Sequence, residues 1–84
     1  MKYRSKIEVT SQILEAANGG NVTKTKIMYR ALVSYNQLKG HLIALIGKGL
    51  LRYDKDTQTF KTTEKGLRFL QIYNQIDNMI KAPE

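Results

Sequence analysis

The sequence contains no cysteine and no tryptophan, and only one histidine and one proline among its 84 residues. Without cysteine the chain can form neither a disulfide nor a thiolate metal site, and nothing in it indicates an oxidising compartment. No hydrophobic run approaches the roughly 20 residues that span a bilayer. The N-terminal stretch MKYRSKIEVT is charged and has no apolar segment, so we expect no signal peptide and a cytoplasmic protein.

Groups of residues that carry catalysis are also absent. His41 has no cysteine partner, Asp54 and Asp56 share one predicted turn, and other carboxylates lie on predicted helix surfaces. Neither a glycine-rich phosphate loop nor a metal-ligand spacing occurs. We therefore expect no enzyme activity, no catalytic or metal-binding residue and no cofactor, and no small-molecule ligand is evident.

Positive charge is the most marked feature that is present. Fourteen Lys and Arg residues against seven Asp and Glu give a net charge of +7, and they occur throughout the chain. A folded domain this basic often binds a polyanion, although charge also serves solubility. The length predicts one domain with a thin core, which would gain from dimerisation.

Three helices are predicted in the first half of the chain. Ser5-Lys6-Ile7-Glu8 matches a capping box, and the apolar residues that follow at helical spacing predict a helix over residues 4–18. That helix ends at Asn18-Gly19-Gly20-Asn21. After the extended pair Val22-Thr23, Thr23 caps a second helix over residues 24–31. The apolar face of the first helix comprises Ile7, Ile13, Leu14 and Ala17.

The third helix is predicted over residues 35–48. Ser34 opens a second capping box, S-x-x-Q, and Gly49 ends the helix. Four apolar residues, Leu38, Leu42, Leu45 and Ile46, are expected to face the core because they recur at helical spacing.

A hairpin and a long helix complete the predicted structure. The strands cover residues 50–53 and 59–62 around a turn at 54–58. Thr62 or Thr63 caps a last helix of about 18 residues. We expect residues 1–62 to form the core domain and residues 63–84 a helix that serves dimerisation. Its apolar stripe contains Phe69, Tyr73, Ile76, Met79 and Ile80.

This order of elements, α+β but mainly α, resembles the winged helix-turn-helix. The resemblance extends to the segments VTKTKIMYRA, SYNQLKGHLIALIGKGLL and KTTEKGLRFL, which are similar to small archaeal winged-helix transcriptional regulators. That group includes dimeric DNA-binding chromatin proteins that pair through a long C-terminal helix. The resemblance covers residues 4–80 and implies binding of double-stranded DNA, a homodimer through the last helix and a place in the nucleoid. The hairpin at 52–60 would be the wing.

The outward face of the third helix supplies the expected DNA contacts, since the second helix of a helix-turn-helix enters the major groove. Asn36 can pair with adenine or be an ordinary first-turn residue, and Lys39 can reach guanine or phosphate. Tyr35 can bond a phosphate or pack against the second helix. Ile43 can touch a thymine methyl, and Gly40 can permit close approach or have no role.

Further DNA contacts are expected from the second helix and the wing. Thr23, Lys24, Thr25 and Lys26 lie at a helix start that suits phosphate, although a cap with solvated lysines is the alternative. In the wing, Arg52 and Lys55 can follow the DNA backbone or minor groove.

Two other functions remain open at this point. Winged helices also serve as protein-docking modules without DNA binding, and a DNA-binding member can be a site-specific regulator or a nonspecific chromatin protein. The long helix likewise has an alternative, in which its stripe packs only on its own domain.

Overall fold

The computed structural model describes residues 5–80, which form four helices and one antiparallel hairpin. In chain order the elements are α1 (Lys6–Ala16), α2 (Lys24–Ala31), α3 (Tyr35–Gly47), β1 (Leu51–Asp54), β2 (Thr59–Thr62) and α4 (Glu64–Ile80). This is the predicted order, and α2 and β2 have the predicted bounds. The start predicted for α1 at residue 4 lies outside the described residues, and α1 ends two residues before the predicted end at 18.

Side-chain caps place the first three helices. The Ser5 hydroxyl accepts a hydrogen bond from the Glu8 amide at 3.1 Å, and the Thr23 hydroxyl accepts one from the Lys26 amide at 3.2 Å. Ser34 and Gln37 form a complete capping box at the start of α3. Because a cap satisfies amides that have no partner inside the helix, these short polar residues define where each helix begins.

The turn between α2 and α3 is made by a residue in an unusual conformation. Leu32 ends α2 with φ 56° and ψ 49°, a left-handed conformation that glycine adopts more readily. The Leu32 side chain is 76% exposed and so contributes little to the core. Val33 follows and is buried, and its amide donates to the Met28 carbonyl at 3.3 Å. The connection is therefore as tight as a helix-turn-helix requires.

Three leucines fix the orientation of α3. Leu38, Leu42 and Leu45 are 0%, 5% and 3% exposed and pack in the central core with residues of α1 and α2. The prediction for Ile46 is wrong, because this side chain is 40% exposed. Ile46 follows Leu38 by eight residues, which places it about 80° further around the helix and at the edge of the core-facing stripe.

One residue of α1 that was predicted to lie in the core, Ile7, is exposed in the structure. Ile13, Leu14 and Ala17 are buried as expected, but Ile7 is 52% exposed. Ile7 lies in the first turn of α1, and Val9, two residues later, packs against the core instead. An apolar residue in the terminal turn of an amphipathic helix can thus lie beyond the edge of the core, even though the rest of its apolar face is buried.

The hairpin is joined to the rest of the domain at several points. Leu51 pairs with Thr62 and Tyr53 with Phe60, so these four side chains share one face. Val22 forms an isolated β-bridge to the hairpin, exchanging hydrogen bonds with Phe60 at 3.0 and 2.7 Å. These hydrogen bonds hold the hairpin beside the helices. A two-stranded hairpin is only marginally stable by itself, so it needs this support.

Thr62 ties the hairpin to the end of α1. Its amide donates to the Ala17 carbonyl at 3.1 Å and its buried hydroxyl donates to the Leu14 carbonyl at 2.6 Å. The first strand begins at Leu51 and ends at Asp54, one residue later at each end than predicted. The Asp54 carboxylate accepts from the Asp56 amide at 2.9 Å and so organises the turn, as its position predicts.

Only the first half of α4 is packed into the domain. The Thr63 hydroxyl accepts from the Gly66 amide at 3.1 Å, which makes Thr63 the cap. Gly66 and Leu70 are the buried residues of α4, whereas Ile76, Met79 and Ile80 are 51%, 78% and 78% exposed. The helix therefore leaves the core about midway along its length.

Two glycines give a matched test of this packing. An alanine Cβ at Gly40 would have no atom within 4 Å, so Gly40→Ala should raise the free energy of unfolding by about 1 kcal/mol through helix propensity. At Gly66 a Cβ would meet the Leu50 carbonyl oxygen and lie 2.6 Å from Thr62 Cγ2. Gly66→Ala should therefore lower stability by about 2 kcal/mol or more. Urea unfolding of both variants measures the difference, and equal effects would contradict the placement of α4.

Candidate nucleic-acid interface

An open groove of about 610 Å³ lies between the start of α2, one side of α3 and the hairpin. Its walls come from three separate parts of the chain, which the fold brings together. The lining residues are Thr23, Lys24, Thr25, Tyr35, Lys39, Leu42, Ile43, Ile46, Tyr53, Thr57, Gln58 and Phe60.

The exposed surface of α3 is divided into two stripes. Tyr35, Lys39, Ile43 and Ile46 recur at intervals of four and three and line the groove. Beside them runs a stripe of small or short exposed residues, Asn36, Gly40, Ala44 and Gly47. A Cβ at Gly40 or Gly47 would have no atom within 4 Å, so this second stripe is open to close approach by a large partner.

Lys24 and Tyr35 make a direct contact across the helix-turn-helix. The Lys24 ammonium donates to the Tyr35 hydroxyl at 3.3 Å and lies 4.7 Å from the centre of the tyrosine ring. Such a cation–π pair at an exposed site contributes about 0.5–1 kcal/mol. Tyr35 thus contacts α2, one of the two alternatives for it, and holds the ammonium at the mouth of the groove.

The charged side chains that line the groove have one sign. Lys24 and Lys39 are the two charged residues among the groove-lining residues, and no carboxylate is part of that lining. The hydroxyls of Thr23, Thr25 and Tyr35 add polar groups at the same end. Of these, Thr23 Oγ1 already accepts from the Lys26 amide, so Thr23 acts as a cap. An anionic ligand would meet donors along the lining, while the exposed carboxylates of Asp54 and Asp56 lie in the adjacent hairpin turn.

The structure brings together six of the residues predicted from the sequence to contact DNA. Thr23, Lys24, Thr25, Tyr35, Lys39 and Ile43 all line the groove. The other five predicted residues, Lys26, Asn36, Gly40, Arg52 and Lys55, are exposed but do not line it. The DNA-binding role of all eleven remains a prediction.

Six groove residues are not among the predicted DNA contacts. Leu42 and Ile46 are predicted core residues, and Tyr53, Thr57, Gln58 and Phe60 belong to the hairpin, where the prediction covers only the cations. The alternation of β1 contains a usable signal, because Tyr53 lies on the same face as buried Leu51. The position of the hairpin relative to the groove depends on long-range packing. The sequence pattern does not reveal that position.

The hairpin has a second, outward face. Arg52 and Lys61 are direct cross-strand partners and both are exposed. Like charges in this arrangement destabilise a strand pair slightly. This outer face is cationic as well, so Arg52 extends the positive surface away from the groove.

The second half of α4 presents an apolar surface to solvent. Ile72, Ile76 and Met79 are 56%, 51% and 78% exposed and follow Phe69 at intervals of three, four and three. Phe69 itself is half-buried against the core and stacks on Tyr73 at 6.3 Å between ring centroids. These intervals are typical of a coiled-coil seam.

Metal and membrane features can be stated for residues 5–80 only. Within that range no group of three or more His, Asp or Glu side chains could hold a metal ion. None of the helices there has the length and apolar character needed to cross a membrane.

The two helices with their tight turn, the hairpin and the groove between them define a winged helix-turn-helix protein. A family model described as winged helix-turn-helix matches residues 3–81, and the chain belongs to that family. It is 30% identical over 81 residues to the uncharacterised protein MJ0287 of Methanocaldococcus jannaschii, covering 95% of this chain and 81% of the relative.

The fold also matches a solved structure. Sso10a-2, a DNA-binding protein from Sulfolobus solfataricus, superposes with a TM-score of 0.83 at 20% identity, covering 93% of this chain and 83% of that chain. Both named proteins are archaeal, and the winged-helix family expected from the sequence is confirmed.

The cap of α3 provides a test of how the groove is built. Ser34→Ala removes the hydroxyl that accepts from the Gln37 amide at 3.2 Å and should lower the free energy of unfolding by about 1 kcal/mol. Ser34→Gly should cost only a few tenths of a kcal/mol, because glycine is itself an acceptable N-cap. Thermal unfolding followed by circular dichroism compares them. A harmless Ser34→Ala change would show that the capping box does not hold α3.

Proposed function

We propose that this protein is a non-enzymatic, double-stranded-DNA-binding protein that places α3 in the major groove. The observation that carries the proposal is the concave groove beside α3, which is lined by two lysines and several hydroxyls and by no carboxylate. Duplex DNA supplies the anionic partner that the lysines and hydroxyls of this groove fit.

The proposed contacts divide between phosphate and bases. Lys24, Thr25 and Lys26 lie at the start of α2, where free amides, hydroxyls and ammoniums suit phosphate. Asn36 and Lys39 on α3 are assigned to base edges, with Lys39 also in reach of phosphate. The smooth stripe at Gly40 lets the helix approach the groove closely. Arg52 and Lys55 of the hairpin follow the adjacent backbone.

The comparison with Sso10a-2 supports the same assignment. That protein is described as DNA-binding, and its fold matches over nearly the whole of this chain. We transfer the DNA-binding function here because the local chemistry of the groove agrees with it. We further place the protein in the cytoplasm, on the nucleoid, since its partner is there.

We also propose a homodimer through α4, with residues 63–84 as the dimerisation segment. Phe69, Tyr73, Ile76, Met79 and Ile80 are assigned to the interface, together with Ile72. Four of these side chains are more than half exposed, and an uncovered stripe of that size is unfavourable in water. A dimer would present two α3 helices to one duplex.

The regulatory role is the finer part of the proposal. A site-specific transcriptional regulator and a nonspecific chromatin protein would use the same groove. They differ in whether Asn36 and Lys39 distinguish one base pair from another. A protein-docking module is the alternative outside DNA binding.

Salt dependence tests the DNA assignment. Five cations per protomer are proposed to meet DNA, so the affinity for a duplex should fall with a log–log salt slope as steep as about −4.5 per protomer. Lys39→Ala should reduce the steepness by about 1 if Lys39 contacts phosphate. Fluorescence anisotropy between low and moderate salt measures both quantities.

The matched control is Lys6→Ala, which removes the same charge from an exposed position on α1. It should leave the salt slope nearly unchanged. Absence of duplex binding at low salt would contradict the proposed function and favour a docking module. Comparable losses from Lys6→Ala and Lys39→Ala would contradict the assignment of the groove.

The dimer has its own test. Sedimentation equilibrium should give a mass near twice 9.6 kDa. Ile76→Glu places a charge in the stripe and should shift the protein to monomers, because burying an unpaired charge is strongly unfavourable. Gln71→Glu adds the same side chain at an exposed position on the other side of α4 and should leave the dimer intact. A monomeric wild type would contradict this part of the proposal.

A further inference from the structure

The floor of the groove beside α3 is apolar. Leu42 and Phe60 are 5% and 7% exposed and form its base, while Ile43, Ile46 and Tyr53 are 67%, 40% and 43% exposed. The Tyr53 ring lies 4.8 Å from that of Phe60, which fixes it in the wall. Two isoleucines and an aromatic ring therefore make one concave hydrophobic surface directly beyond Lys39.

This surface has no use in contacts with phosphate. Phosphate oxygens are bound by cations and hydrogen-bond donors, and an isoleucine side chain offers neither. An apolar surface in this place fits an apolar group on the DNA itself. Among the groups that bases display in the major groove, that group is the thymine C5-methyl.

The polar residues of the groove agree with the same base. Cytosine presents a donor and is matched by carboxylates, of which the lining has none. Guanine is matched by arginine or lysine, so Lys39 suits guanine as well as thymine, but guanine carries no methyl group for the isoleucines to cover. Thymine presents one acceptor, O4, beside its methyl, which a single ammonium such as that of Lys39 can satisfy. The lining thus combines the two features that thymine requires.

We propose that the groove selects A·T base pairs by covering thymine methyl groups with Ile43 and Ile46. The proposal rests on the proposed function, since it needs α3 in the major groove, and it adds a base preference to it. The Tyr53–Phe60 pair forms the opposite wall and limits how far a base edge can move. Asn36 on the neighbouring stripe is placed to meet adenine.

Deoxyuridine provides the direct test, because it is thymidine without the methyl group. Two A·T-rich duplexes of one sequence, with thymine and with uracil, are compared by fluorescence anisotropy at one salt concentration. Covering one methyl group is worth about fourfold in affinity, so uracil should weaken binding about fourfold for one contact and about fifteenfold for two.

Variants locate the contact. Ile43→Ala and Ile46→Ala should each bind the thymine duplex more weakly and reduce the thymine-to-uracil ratio towards one. Both positions are exposed enough for the fold to survive, which circular dichroism checks. Ile7→Ala removes an isoleucine of similar exposure from α1 and should preserve the full ratio.

A second duplex pair tests the methyl group without thymine. In a G·C-rich duplex, 5-methylcytosine carries its methyl at the corresponding place in the major groove, so it should bind more tightly than cytosine. Equal affinities for thymine and uracil duplexes would overturn the base preference and leave DNA binding intact, with the isoleucines facing sugar. Failure to bind any duplex would overturn the proposed function as well.

Discussion

The burial of Leu38, Leu42 and Leu45 in the hydrophobic core fixes the placement of α3, and the groove is built on that placement. Each of these side chains is at most 5% exposed, and removing one would cost about 2–5 kcal/mol in a domain this small. Together they allow α3 one rotation about its axis. With that rotation set, Lys39 and Ile43 face the groove and Asn36 and Gly40 lie beside them.

A second set of contacts positions the hairpin against this helix. The bridge from Val22 to Phe60 and the hydrogen bonds from Thr62 to the end of α1 hold β2 against the helical core. Lys65 donates to the Lys48 carbonyl at 2.8 Å, which joins the start of α4 to the end of α3. The groove is therefore formed by elements that are each fixed to the core, so its shape is prepared before a ligand binds.

Local chemistry made much of the fold predictable from the sequence. The caps at Thr23 and Ser34 placed α2 and α3 to within a residue, and the Asp54 turn placed the hairpin. The errors concern tertiary packing, which periodicity does not record. Ile7 lies in the first turn of its helix and Ile46 at the margin of its stripe, so spacing alone assigned both to the core.

In the candidate site, too, the residues set by local sequence were predictable and those set by tertiary packing were not. The six groove residues predicted from the sequence lie at helix starts or on the outward face of α3, where local rules apply. Tyr53, Thr57 and Gln58 enter the groove only because the hairpin folds back over it. Their contribution depends on how the hairpin packs against α3, whereas the positive charges in the hairpin predict Arg52 and Lys55 as contacts.

Amide NMR spectra of the isotopically labelled protein during titration with a duplex test the central claim most directly. The account predicts that the largest shift changes occur at residues 23–26, 35–46 and 53–58, with little change over α1. Changes concentrated on α1, with the α3 amides unaffected by saturating duplex, would contradict it.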